Sequence, residues 1–178
     1  MFGVFETFKK IYYKYLIFYF NYNDFIMILF LKNKSHLSIF DPTEYNSMEF
    51  NIRKAKKADM SKVLDLIVEL AIYEKEPEAV EISVEDLVLH GFGSTSDFDC
   101  FVAEVEQNII GIALVYTRFS TWKGIVLHLE DLIVSESMRG HGIGSALLDE
   151  VIKFAHQLGV KRVSWDVLDW NTPAIEFY

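Results

Sequence analysis

Residues 125–145 read IVLHLEDLIVSESMRGHGIGS, and the parsing of this stretch decides the fold. The first ten residues are an apolar run broken only by His128, Glu130 and Asp131, which reads as a strand. The loop Arg139-Gly140-His141-Gly142-Ile143-Gly144-Ser145 follows. Ile143 to Leu158 then has helical spacing and is closed by Gly159. Glycines between a strand and a helix start let backbone N–H groups approach an anion, and the helix dipole favours negative charge there. The loop is not a P-loop, which ends in Gly-Lys-Ser/Thr. Nor is it the dinucleotide pattern, since Leu147 stands where the third glycine belongs. Taken alone, it also reads as an ordinary glycine-rich turn.

Working outward, Lys161–Leu168 is a further strand, and Thr172-Pro173 supplies a cap and a first-turn proline for a closing helix. Upstream, Cys100–Val105 and Ile109–Phe119 are apolar runs joined through Glu106-Gln107-Asn108, the pattern of a hairpin. Trp122-Lys123-Gly124 turns the chain into the Ile125–Val134 run. Glu49–Lys54 can form an edge strand. Asp59 caps a helix in which Met60, Val63, Leu64, Ile67, Leu70 and Ala71 recur at helical spacing, with Pro77 as its stop. Ser83 and Asp86 make an S-x-x-D start for a short helix ending at Gly91 and Gly93. The order β-α-α-β-β-β-α-β-α predicts an α/β (mixed α+β) fold, a mixed β-sheet with helices on both faces.

Composition divides the 178 residues near Met48. Of the 27 Phe, Trp and Tyr, 14 lie in residues 1–48, which carry a net charge of +1 against −10 for residues 49–178. The acidic balance argues against a nucleic-acid partner and for a cationic one. A lone Cys100, placed in a core-like strand, excludes a disulfide framework and points to a reducing compartment, the cytoplasm. No Cys/His cluster offers metal ligands. Residues 11–31, IYYKYLIFYFNYNDFIMILFL, are long enough for a membrane anchor but are interrupted by Lys14, Asn21, Asn23 and Asp24. A central Asp costs about 2.5–3.5 kcal/mol on insertion scales. The same stretch also reads as outside any folded unit, or as a partner-binding helix. Residues 33–47 read as linker. We therefore divide the chain into an N-terminal extension, 1–48, and a body, 49–178.

The spacing R-x-x-G-x-G after VLHLEDLIV resembles the acetyl-CoA-binding motif of the GNAT acetyltransferase superfamily. IxELAxYE, HGFG, FVAEV, LxLEDxxV, RGxGIGS and WNxPxIxFY stand in the order of its diamine (spermidine/spermine) and thialysine acetyltransferases. The resemblance covers about residues 49–178. It implies a GNAT-like sheet and an acetyl-CoA-dependent N-acetyltransferase acting on a small cationic amine, a polyamine, diamine or thialysine-like molecule. It also implies a homodimer and no metal. Members of that branch continue for about two strands past Phe-Tyr, so the sheet is expected to lack its last strands in this chain. The alternative is a non-catalytic acyl-CoA-binding or interaction protein.

Acetyl transfer needs a held thioester, a neutral amine and a proton for the departing thiolate. Alkylamines titrate near 10.4 like Lys, so a base is useful. Glu130 is the candidate: the resemblance puts the catalytic glutamate there, and a mid-strand carboxylate is costly unless it faces a cleft or a partner. A salt-bridged structural Glu is the competing reading. Asp131 points the other way by strand alternation unless a bulge intervenes. Tyr178 is the candidate acid, or else a terminal ring packed on the core. For the cofactor, the resemblance implies the backbone of Leu132, Ile133 and Val134, the cradle Arg139 to Ser145, and Asn171, Thr172, Pro173 and Ala174. Tyr73 and Glu74 match its substrate-contacting Tyr-Glu, and could equally end an exposed helix. Trp122 and Asp169 are placed in an acidic, aromatic channel. His128 and His141 read as structural.

Overall fold

Sheet pairing is laid out around the hairpin at Glu106-Gln107. Those two residues have φ of 48° and 70°, left-handed values whose twist matches antiparallel strands. The computed structural model describes residues 13–20, 25–28 and 48–178. In chain order its strands are β1 (Tyr13–Phe20), β2 (Phe25–Ile28), β3 (Asn51–Lys54), β4 (Asp99–Val105), β5 (Asn108–Ser120), β6 (Gly124–Val134) and β7 (Arg162–Leu168). The helices are α1 (Met60–Tyr73), α2 (Val84–Phe92), α3 (Ile143–Leu158) and α4 (Thr172–Phe177). From β3 onward this is the order expected from the sequence.

The strands form one sheet in the order β2-β1-β7-β6-β5-β4-β3. Every neighbouring pair is antiparallel except β6 and β7, joined in parallel through α3. Strand alternation fills both faces. Phe101, Ala103, Val115, Leu127 and Leu129 pack with Ile143, Leu147, Val151 and Ala155 of α3. Cys100, Val102 and Ile112 point to the other face, against Met60, Val63 and Leu66 of α1 and Leu87 of α2. Cys100 is thus core, and burial pushes its thiol up to about 12, which keeps it inert.

Two helix starts differ from expectation. Asp59 does not cap α1 with its side chain. Its carboxylate instead accepts from Lys56 N–H at 2.6 Å and from Arg53 at 2.6 Å and 3.2 Å, tying β3 to the turn before α1. The Arg53 guanidinium holds that carboxyl below its usual range. At α4 the cap is Asn171 rather than Thr172: the Asn171 Oδ1 accepts from Ala174 N–H at 3.2 Å, and Pro173 sits in the first turn. The Ser83/Asp86 capping box of α2 is present.

Within residues 11–31, the described segments Tyr13–Phe20 and Phe25–Ile28 are strands, and β1 pairs with β7 from Tyr13↔Leu168 to Tyr19↔Arg162. The other positions of the anchor candidate, and the linker reading of 33–47, lie outside the described residues. Among the described residues no helix is long and apolar enough to cross a membrane.

Candidate functional site

The parallel pair β6–β7 is joined at only two positions, Leu127↔Val163 and His128↔Ser164. Beyond them the strands part, although β6 continues to Val134 and β7 to Leu168. The β7-facing backbone groups of Leu132, Ile133 and Val134 therefore have no strand partner. Two pockets lie where the strands separate.

The first is a cleft of about 410 Å³. One wall is Leu132–Val134, one end is the loop from Met138 through Ser145, and the far wall is Asn171, Pro173, Ala174, Phe177 and Tyr178. Gly140 and Gly142 hold φ of 82° and 76°. Nothing lies within 4 Å of a Cβ built on either, so the left-handed backbone rather than space demands glycine there. Gly142 is the N-cap of α3 and no side chain caps it, so the first-turn N–H groups face the cleft without an intrahelical acceptor. Such a row of donors suits a phosphate, and the open β6 edge suits an amide-bearing arm. Of the residues the resemblance assigned to the cofactor, His141 and Thr172 alone do not line this cleft.

The second pocket, about 240 Å³, is lined by Glu74, Glu130, Asp131 and Asp166 together with His128, Trp165 and Val167. It shares Leu70, Leu132, Asn171, Ala174 and Tyr178 with the first, so the two meet at a common wall. Trp122 and Asp169 are exposed and line neither pocket.

Glu130 and Asp131 share this pocket because β6 bulges between them. Leu114 pairs with Asp131 and Val115 with Leu129, which leaves Glu130 as the extra residue. The bulge reverses the alternation: Leu127 and Leu129 face α3 before it, but Val134 does so after it, while Ile133 turns to the α1 side. Asp131 is thereby swung toward Glu74 at the end of α1. Burial first, and then the charges of Glu130 and Glu74, push the Asp131 carboxyl up to about 7. Burial also raises Glu74. Asp131 was left out of the site in the sequence reading. The only signal for it was a Glu-Asp pair inside an otherwise apolar strand, where strict alternation cannot hide both carboxylates.

Tyr178 packs its ring on Trp165 at 4.7 Å. Burial raises its phenol above the usual range, so it keeps its proton at the junction of the two pockets. Tyr73 and Glu74, adjacent in sequence, serve different pockets. Glu74 lines the acidic one, whereas the Tyr73 hydroxyl donates to Asn171 Oδ1 at 3.1 Å and its ring lines the cleft. The Arg139 guanidinium lies 5.1 Å from the Tyr73 ring centroid and donates to Val134 O at 2.9 Å. On the other side Tyr73 meets Trp170 at 6.0 Å, and Lys75 Nζ sits 4.5 Å over the Trp170 ring. Two cations and two rings thus form a ladder from the end of α1 to the glycine loop. No group of three or more His, Cys, Asp and Glu side chains is placed to hold a metal among the described residues.

The model of the Acetyltransferase (GNAT) family matches residues 62–178. Thialysine N-epsilon-acetyltransferase of Bos taurus is 41% identical over 135 residues, 71% of this chain and 79% of the relative. Spermidine/spermine N(1)-acetyltransferase-like protein 1 of Homo sapiens is 34% identical over 136 residues, 72% of this chain but 20% of that protein. Among solved structures, an aminoglycoside acetyltransferase from an uncultured soil metagenomic sample, in complex with trehalose, superposes with a TM-score of 0.64 at 21% identity. That match covers 76% of this chain and 88% of the other.

Because the folded Asp131 holds a proton that the unfolded chain releases, its stability contribution falls as pH rises from about 4 to about 7. Asp131→Asn is therefore expected to raise the melting temperature at pH 8, by about 2–4 °C per kcal/mol relieved, with the gain vanishing below pH 4. Scanning calorimetry at both pH values tests this. Gly142→Val, forced into a left-handed backbone, is expected to weaken CoA binding at least about tenfold, measured by calorimetric titration.

Proposed function

The chain belongs to the GNAT acetyltransferase family, and from that premise we propose that it moves an acetyl group from acetyl-CoA to a primary amine of a polyamine, diamine or thialysine-like molecule. GNAT enzymes are N-acetyltransferases that use acetyl-CoA as cosubstrate. The observation that carries the finer reading is the shared wall. A cleft with free helix-start N–H groups and an open strand edge runs into a pocket ringed by four carboxylates, and they meet at Tyr178. In this reading the body of the enzyme is residues 49–178, residues 1–48 stand outside the family's part, and the reaction takes place in the cytoplasm. The exposed Phe119, Trp122 and Ile125 on β5, β6 and their turn are the surface best suited to a homodimer.

The cradle from Arg139 to Ser145 receives the pyrophosphate, with Gly140 and Gly142 supplying the backbone path. Leu132 to Val134 bind the pantetheine amides along the free β6 edge, while Asn171 to Ala174 close the other side. The substrate ammonium enters between Glu74, Glu130 and Asp131, whose combined charge pays for its desolvation. Glu130, the least buried of the three, takes the proton from the ammonium, directly or through water. The neutral nitrogen then attacks the thioester carbonyl, the C–S bond breaks, the Tyr178 hydroxyl gives its proton to the departing sulfur, and the surplus proton on the acylated nitrogen returns to the Tyr178 oxygen, directly or through water. No covalent enzyme intermediate is involved, since Cys100 is core.

General acid–base help is typically worth about 10²–10⁴ in rate. Glu130→Gln is therefore expected to lower turnover about a hundredfold or more at pH 7. The loss shrinks near pH 10, where solution already supplies neutral amine; equal loss at both values would remove the base role. The assay follows CoA release by the full chain with spermidine and thialysine side by side, which also ranks the two amines. A chain that binds CoA but acetylates neither would be an acyl-CoA-binding protein instead.

A further inference from the structure

His128 sits in the acidic pocket's floor and has no part in the mechanism above. Its side chain is 6% exposed, and its two ring nitrogens face different neighbours. Nδ1 is 3.1 Å from Ser164 Oγ, and Nε2 is 3.7 Å from Glu130 Oε2. Ser164, itself 2% exposed, accepts from Arg118 Nη2 at 3.0 Å. Arg118 can only donate, so the serine oxygen is an acceptor there. The remaining proton of that buried hydroxyl finds its partner in Nδ1. That leaves the imidazole proton on Nε2, aimed at Glu130.

The charged and titratable groups around the ring support a neutral imidazole. Arg118 and Tyr116 face it from β5, Asp166 from β7, and Glu130 from β6. Burial and then Arg118 lower its basicity, while Asp166 and Glu130 oppose them. The Tyr116 ring meets it edge-on at 5.3 Å, which fixes the plane of the imidazole. Glu130 stands opposite as the unpaired residue of a bulge, with a side chain 53% exposed. The Tyr116 hydroxyl also reaches that carboxylate, so the phenol and the imidazole are the two groups placed to hold it.

We propose that His128 is a positioning residue: a chain Arg118–Ser164–His128 presents a fixed Nε2–H that holds the Glu130 carboxylate toward the substrate amine. No proton passes through the ring, because Nε2 already carries one. At 3.7 Å the contact is electrostatic, and it closes to a hydrogen bond when the substrate draws Glu130 inward. The inference rests on Glu130 being the base.

The test uses full-length His128→Leu, His128→Asn and His128→Gln, with Glu130→Gln alone and combined with His128→Leu. A glutamine amide reaches where Nε2–H stood, whereas asparagine restores only the Ser164 end. His128→Leu should lower kcat about tenfold and move the acid limb of the pH–rate profile up by about one unit, leaving the KM for acetyl-CoA unchanged. His128→Gln should recover most of the rate and His128→Asn should not. In the Glu130→Gln background, His128→Leu should cost less than about twofold more. Rescue by Asn rather than Gln assigns His128 a structural role and overturns the proposal. So does an undiminished loss in the double variant, or His128 variants that all turn over normally while Glu130→Gln does not. Full activity of Glu130→Gln itself overturns the base reading and this proposal with it. If His128→Leu fails to fold, the Asn/Gln comparison and its pH profile decide alone.

Discussion

The separation of β6 from β7 after two paired residues is the constraint on which the site depends. Backbone N–H and C=O groups in a sheet interior are normally paired, and leaving them unpaired away from water is unfavourable. Here the gap is wedged open by side chains. Trp165 on β7 is 1% exposed, and Tyr178 lies against it. The Asn171 cap starts α4 across the opening. The Tyr73 hydroxyl then ties that cap to α1. The β6 edge therefore faces the cleft without a strand partner, and among the described residues only Val134 O there accepts a side-chain donor, from Arg139.

The bulge at Glu130 is the second element of the same design. A regular β6 would keep residues 127, 129, 131 and 133 on one face, which would put Asp131 into the apolar layer under α3. One extra residue avoids this and delivers two adjacent carboxylates to one pocket. Burial first, and then the charges of Glu130 and Glu74, push the Asp131 carboxyl up. A positive charge placed among these carboxylates would offset both effects, so the electrostatic cost of the pocket and its attraction for a cation have a common source.

Much of this was legible in the sequence. Apolar periodicity places the helices α1 and α3, Gly159 closes α3, and Glu106-Gln107-Asn108 marks the hairpin between β4 and β5. The glycine loop carried its chemistry in its spacing, because left-handed φ at Gly140 and Gly142 is a local requirement. What alternation could not show was the bulge, which is set by the pairing of β6 with β5 rather than by any residue of β6 alone. Hence Asp131 was passed over. Likewise Asp59 looks like a cap but is claimed by Arg53, and the Tyr73 hydroxyl has a structural partner in Asn171 that its place at the end of a helix does not reveal. In each case a partner outside the local helix sets the contact. Sequence spacing carries little about such long-range contacts.

The ladder Lys75–Trp170–Tyr73–Arg139 places an indole one ring away from the guanidinium that lines the cleft. The other two tryptophans occupy contrasting surroundings: Trp165 is buried, and Trp122 is 86% exposed at the far hairpin. The chain thus carries three intrinsic fluorophores with separable emission. Trp170 is the one set between a cation, Lys75, and the Tyr73 ring that lines the cleft. A ligand that moved Tyr73 would change the emission of Trp170, without a label.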